Sequence, residues 1–192
     1  MATCNKAHIF IDHSNILDGG RQFMKSTCGV SKWEYSMPAL LKLISPPPSE
    51  ITDPSNIYAT VFGKPNKTHL SETKTFLTAA AQACRNAVHV GCPEIKVSCS
   101  DLESDGTPSV EKHHLPMGAM LSAGATQAIC VSKHYYPQDH PCFILATGDG
   151  AFGCLVELAS SYGFPVTVWT WKAAASRDPR YFEENLELQG LR

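Results

Sequence analysis

Residues 142–150 read CFILATGDG: the most apolar short run in the chain passes directly into Thr147, Gly148, Asp149 and Gly150. An unbroken apolar run bounded by turn residues is the pattern of a strand covered on both faces, as in a parallel sheet. A helical pattern over 152–162 follows it, so the unit is strand, tight turn, helix. Residues 7–12, AHIFID, have the same character and also end in an acid, Asp12. Further strands are predicted at 56–62 (NIYATVF, followed by the turn residues Gly63, Lys64, Pro65 and Asn66), around Val88 and Val90 or over 95–97, and at 166–171. Helical spacing predicts helices over 37–44 (Leu40, Leu41, Ile44, closed by Ser45 and Pro46), 68–87, 114–130 with Pro116 in the first turn, and in the tail at 178–188. Residues 100–109, with three acids, a Gly and a Pro, read as an exposed loop. Strands alternating with helices imply an α/β fold: a mainly parallel sheet with helices on both faces, one domain over 1–192, and sites at the carboxyl ends of the strands. Asp12 and Asp149 both stand there.

The totals narrow the function classes. A chain of 192 residues, 43% hydrophobic and 18% charged, is long and apolar enough to bury its own core. Sixteen Lys and Arg against eighteen Asp and Glu give a formal charge of -2, which excludes a broad positive field toward nucleic acid or anionic membrane. Any nucleic-acid contact must be a local patch. Eight cysteines show no CxxC spacing, and the first residues, MATCNKAHIFID, lack a basic region followed by a long apolar run. Reduced thiols and an intracellular chain, cytoplasmic or nuclear, with no membrane span, are therefore expected.

Two aspartates at the ends of different buried strands suit a divalent ion, since Mg2+ takes oxygen ligands and uses one or two protein carboxylates with water and phosphate completing the shell. Unit charges about 4 Å apart at an effective dielectric near 20 repel by roughly 4 kcal/mol, so clustered acids call for a cation or a shifted pKa. The competing reading is that each aspartate caps the helix after it, and spacing alone leaves both open. Lys64 and Lys67 follow a strand on the presumed site side and are candidates for phosphate contact. His113 and His114 offer imidazoles, which suit Mn2+ or Zn2+ and carry protons near neutral pH, against a plain exposed polar segment. Trp33, Tyr35, Tyr135 and Tyr136 are read either as base-stacking or as packing residues, and His13 as a loop residue. No GxGxxG or GxxxxGK[ST] loop is present to cradle a nucleotide.

Residues 9–16, IFIDHSNI, resemble the opening of the NYN family of the PIN-like nuclease superfamily, in which a strand ends in Asp with Asn three residues later; 144–153, ILATGDGAFG, resemble its later Ser/Thr-Gly-Asp turn. The run from Gly163 to Trp169 is similar to that family's final strand. The resemblance implies a single doubly wound sheet and a metal-dependent endoribonuclease acting on RNA, expected to be single-stranded, with Mg2+ or Mn2+ bound by an acidic cluster. A protein partner or a second copy of the chain is a further expectation. Asp12, Asn15 and Asp149 take the catalytic positions: the two aspartates as metal ligands, Asn15 supporting the first of them or orienting a phosphate or water. Ser14 and Thr147 hydrogen-bond nearby. The family's further acids, near the start of its middle helix, are represented only by Glu111, beside His113 and His114, and Ala151 stands where the family commonly has Asp or Asn. The alternative the resemblance carries is a pseudonuclease that keeps the fold and serves as an RNA-binding or protein-binding module.

Overall fold

The structure is a computed structural model that describes residues 4–46, 50–51, 56–63, 88–91, 94–102, 108–114, 117–171 and 186–187. At its centre lies β1 (Lys6–Asp12), flanked by β2 (Ile57–Gly63) and β6 (Pro141–Ala146), both parallel to it. β7 (Val166–Thr170) pairs in parallel with β6. β3 (Val88–Gly91) and the two-residue β8 (Leu186–Glu187) extend the two edges, giving the order β3-β2-β1-β6-β7-β8. The chain thus builds outward from β1 in one direction, then returns to the centre and builds outward in the other. The order reverses between β1 and β6, and in open α/β sheets ligands bind outside the strand ends at such a point.

Alternation along the strands explains the two faces. Ile9 and Ile11 of β1, with Ala59, Val61, Ile144 and Ala146, join one core; Phe10, Phe62, Phe143 and Leu145 join the other. α1 (His13–Cys28) and α2 (Met37–Ile44) cover the first face, through Ile16, Met37, Leu40, Leu41 and Ile44. α3 (Met117–Tyr135) and α4 (Gly153–Ser161) cover the second, through Leu121, Ala125, Ile129, Leu155 and Ala159. Fully burying a side chain such as Ile or Phe contributes about 1.5–3 kcal/mol, so these rows are what holds the sheet between its helices. The expected parallel sheet with helices on both faces is present.

α1 is a helix that the apolar spacing did not predict, and the reason is its composition. Its buried positions are Ile16, Gly19 and Gly20, so glycines occupy the stripe where Leu or Ile would announce a helix. They are required by packing: a Cβ at Gly20 would stand 1.9 Å from Trp33 Cζ3, and one at Gly19 would stand 2.6 Å from Trp171 Cδ1. Trp171 Nε1–H donates to the Ile16 carbonyl at 2.8 Å, which fixes the indole against the helix. Gly29 ends α1 at φ 69, the left-handed conformation that favours glycine, while its N–H and that of Val30 donate to the Lys25 and Met24 carbonyls. α2 starts as its sequence foretells, with Ser36 Oγ accepting from the Ala39 N–H at 3.5 Å, and ends before Pro46.

Three expectations need correction. Residues 94–102 (β4) and 108–114 (β5) form an antiparallel hairpin apart from the main sheet, so strands extend into both ends of the predicted 100–109 loop. Cross-strand pairing supplies the backbone partners that composition alone does not reveal. The helix predicted from 114 begins at Met117, and residue 114 closes β5. At the tail, Leu186 and Glu187 pair with Trp169 and Thr170 as β8 instead of continuing a helix, the parallel edge overriding local helix preference. Most of that tail, and the helix predicted over 68–87, lie outside the described residues. Among the described residues no helix is long and apolar enough to cross a membrane.

Candidate active site

Asp12 is the last residue of β1 and the N-cap of α1. Its Oδ1 accepts from the Asn15 N–H at 3.0 Å, and the carboxylate also receives the Ser14 N–H and the Thr147 hydroxyl. Across the strand boundary, Ile11 of β1 is in register with Ala146 of β6, and the Thr147-Gly148-Asp149 loop leaves β6 beside it. Thr147 is buried, and its N–H donates to the Trp169 carbonyl at 3.0 Å, so β7 fixes the start of this loop. Thr147 Oγ1 accepts from the Asp149 N–H at 3.2 Å while its hydroxyl donates to Asp12. Asn15 Oδ1 accepts from the Gly148 N–H at 2.6 Å. Asp149 in turn caps a short 3-10 turn, Gly150–Phe152, accepting from the Ala151 N–H at 2.9 Å.

Both readings of the aspartates stay open: each caps the element that follows, and both stand at the carboxyl ends of the strands flanking the reversal, near enough for the Asp149 charge to act on Asp12. Capping uses Oδ1 of each side chain in these hydrogen bonds. Asp12 is half-buried and Asp149 exposed, which divides the pair into a fixed inner acid and an outer one facing solvent. Burial raises the pKa of Asp12 above its ordinary value, the Asp149 charge adds to the rise, and the Asn15 and Ser14 amides and the Thr147 hydroxyl oppose it. Beside Asp149 a crevice of about 10 Å3, lined by Leu145, Thr147, Phe152 and Val168 among others, has room for no more than a water.

Tyr35 and His13 form a hydrogen-bonded pair: His13 follows the inner acid in sequence, and Tyr35 is within reach of its charge. Tyr35 is buried with its hydroxyl 2.8 Å from His13 Nδ1. Burial, and after it the Asp12 charge, raise the phenol pKa, so Tyr35 stays protonated. His13 is the first residue of α1, not a loop residue. Sequence reading missed this pair as a unit because a loop and a helix separate its members, and spacing carries no signal for such a contact.

Glu111, His113 and His114 are on β5, in register with Val97, Ile95 and Glu94, and not at the start of a helix. Lys64 and Lys67 lie outside the described residues. Trp33 and Tyr35 are buried packing residues, whereas Tyr135 and Tyr136 are exposed at the far end of α3. Among the described residues no group of three or more His, Cys, Asp or Glu is placed to hold a metal ion. Comparison of the chain with protein-family models, with curated proteins and with solved structures finds no match.

Proposed function

We propose that the chain is an RNA-processing domain of the NYN type, with a doubly wound PIN-like fold, that cleaves phosphodiester bonds of single-stranded RNA with Mg2+ or Mn2+. The observation that carries this reading is the placement of Asp12 and Asp149 at neighbouring strand ends beside the reversal, with Asn15 Oδ1 accepting from the Gly148 N–H at 2.6 Å and so tying the start of α1 to the Thr147-Gly148-Asp149 turn. The donor set fits a hard divalent ion, because it consists of carboxylate oxygens and Mg2+ needs only one or two of them from the protein. Asp12 and Asp149 would hold the ion. When bound, such an ion activates a water and stabilises the leaving oxygen of an in-line displacement.

The chain's own residues have separate tasks. The Asn15, Ser14 and Thr147 donors orient the Asp12 carboxylate, and Thr147 also holds the Asp149 main chain, so both acids keep one geometry without a ligand. Asp149, being exposed, meets the substrate side. Lys64 and Lys67 are assigned to phosphate contact, and Glu111, His113 and His114 to completing the ligand set or contacting RNA.

The test is cleavage of an end-labelled single-stranded RNA with Mn2+ or Mg2+. Asp12→Asn and Asp149→Asn should each lower the rate roughly 10²-fold or more. Equal cutting by wild type and both variants would end the assignment. A second reading, an RNA-binding module without catalysis, is favoured by one observation: the described residues bring together two carboxylates and no third ligand. It predicts RNA affinity, with no cutting by wild type in any divalent ion.

A further inference from the structure

Two thiols with no part in the acidic site meet at the opposite edge of the sheet. Cys4 precedes β1 and Cys142 is the second residue of β6; both are free, and their sulfurs are 3.1 Å apart. The main chain on each side is held. The Cys4 N–H donates to the Glu50 carbonyl at 2.8 Å, the Asn5 N–H donates to the His140 carbonyl at 3.2 Å, and the His140 N–H donates to Asn5 Oδ1 at 2.9 Å. Bonded sulfurs stand about 2.05 Å apart, so closure requires a shift of only about 1 Å. Cys4 also lines an open cavity of about 540 Å3, with Ser132, Lys133, Asp139, His140 and Tyr162 on its wall, a volume that admits a small molecule.

We propose that Cys4 and Cys142 are a modification site, forming a reversible disulfide by exchange with a low-molecular-weight disulfide such as oxidised glutathione. The Cys4 thiol, which donates to the Glu50 carbonyl at 3.2 Å, gives its proton to solvent; its thiolate attacks one glutathione sulfur, a mixed disulfide forms on Cys4, and one glutathione leaves as its thiolate. Cys142 then gives its proton to solvent and attacks the Cys4 sulfur, releasing the second glutathione thiolate. Two protein thiols are oxidised and one disulfide is reduced to two thiols. Burial, and after it the contact with Cys4, raise the Cys142 pKa, so this thiol rests protonated and its attack depends on the Cys4 sulfur standing beside it. The bond joins residues 138 apart in sequence and so removes much freedom from the unfolded chain.

The full chain is incubated with excess oxidised glutathione, alkylated, and digested with trypsin and then chymotrypsin, because the tryptic fragment 134–172 carries both Cys142 and Cys154. The expected result is fragment 1–6 linked to the Cys142 peptide. It should come with a rise in melting temperature of about 5–10 °C that dithiothreitol reverses and Cys142→Ser lacks. Alkylated Cys4 and Cys142, a glutathione adduct persisting on either, or a link from Cys4 to another cysteine would overturn the proposal. Should Cys142→Ser fail to fold, the linked peptide from wild type decides alone.

Discussion

Asp12 carries a conflict that can be measured apart from any activity. Its anion is disfavoured by burial and by Asp149, so the folded-state pKa lies above the unfolded one. A group of this kind contributes stability that is fully present below its ordinary pKa of 3.8 and is lost as pH rises through the folded value. Asp12→Asn removes the charge while keeping an oxygen for the Asn15 N–H, and Asn caps helices as well as Asp does. The variant should therefore melt a few degrees higher than wild type at pH 7, with the difference shrinking as pH falls toward 4. Thermal unfolding across that range checks it, and an equal or lower melting temperature at pH 7 would contradict the assigned electrostatics. The two acids were legible in the sequence because a carboxylate ending a buried apolar run has few places to go. The hydrogen bonds from Thr147 and Asn15 that fix them were only implied by resemblance, and Tyr35 was not tied to them at all, since its contact with His13 depends on tertiary placement.

At the scale of elements, strands covered on both faces declared themselves: β1, β2, β6 and β7 were all expected within a residue or two, because a parallel strand between helix layers must be apolar on both sides. α1 did not, because the side chains that fill its buried stripe come from outside the helix, from Trp33 and Trp171. Substitution makes the point quantitative. Alanine raises helix propensity by up to about 1 kcal/mol over glycine, yet Gly20→Ala sets a methyl 1.9 Å from the Trp33 ring, and overpacking costs about 1–3 kcal/mol or more. Clash outweighs propensity, so Gly20→Ala should lower stability by roughly 1–2 kcal/mol. Denaturant unfolding measures this, and a stabilised Gly20→Ala would show that Trp33 yields freely.

For the molecule as a whole, acid stability is set partly inside the central strand, away from the strand ends that carry the aspartates. His8 of β1 stacks against Tyr58 on one neighbouring strand and Phe143 on the other, with its Nε2 buried and, among the described residues, without a hydrogen-bond partner. Burial, and after it the Lys6 charge, lower its pKa from 6.5 to about 4, against a smaller opposite effect of Asp139. The folded state therefore binds fewer protons than the unfolded one, and stability falls as pH drops from 6.5 toward 4. His8→Phe keeps the aromatic row and removes the titration, so its melting temperature should fall less than that of wild type over this interval; parallel curves would refute the role of His8. Asp12 acts in the opposite sense, so the two variants separate the contributions. The bond from Gly148 to Asn15 spans 133 positions of sequence. On the ribosome, the Asn15 half of this clasp must therefore wait until Gly148 has emerged before the two strand ends can be tied.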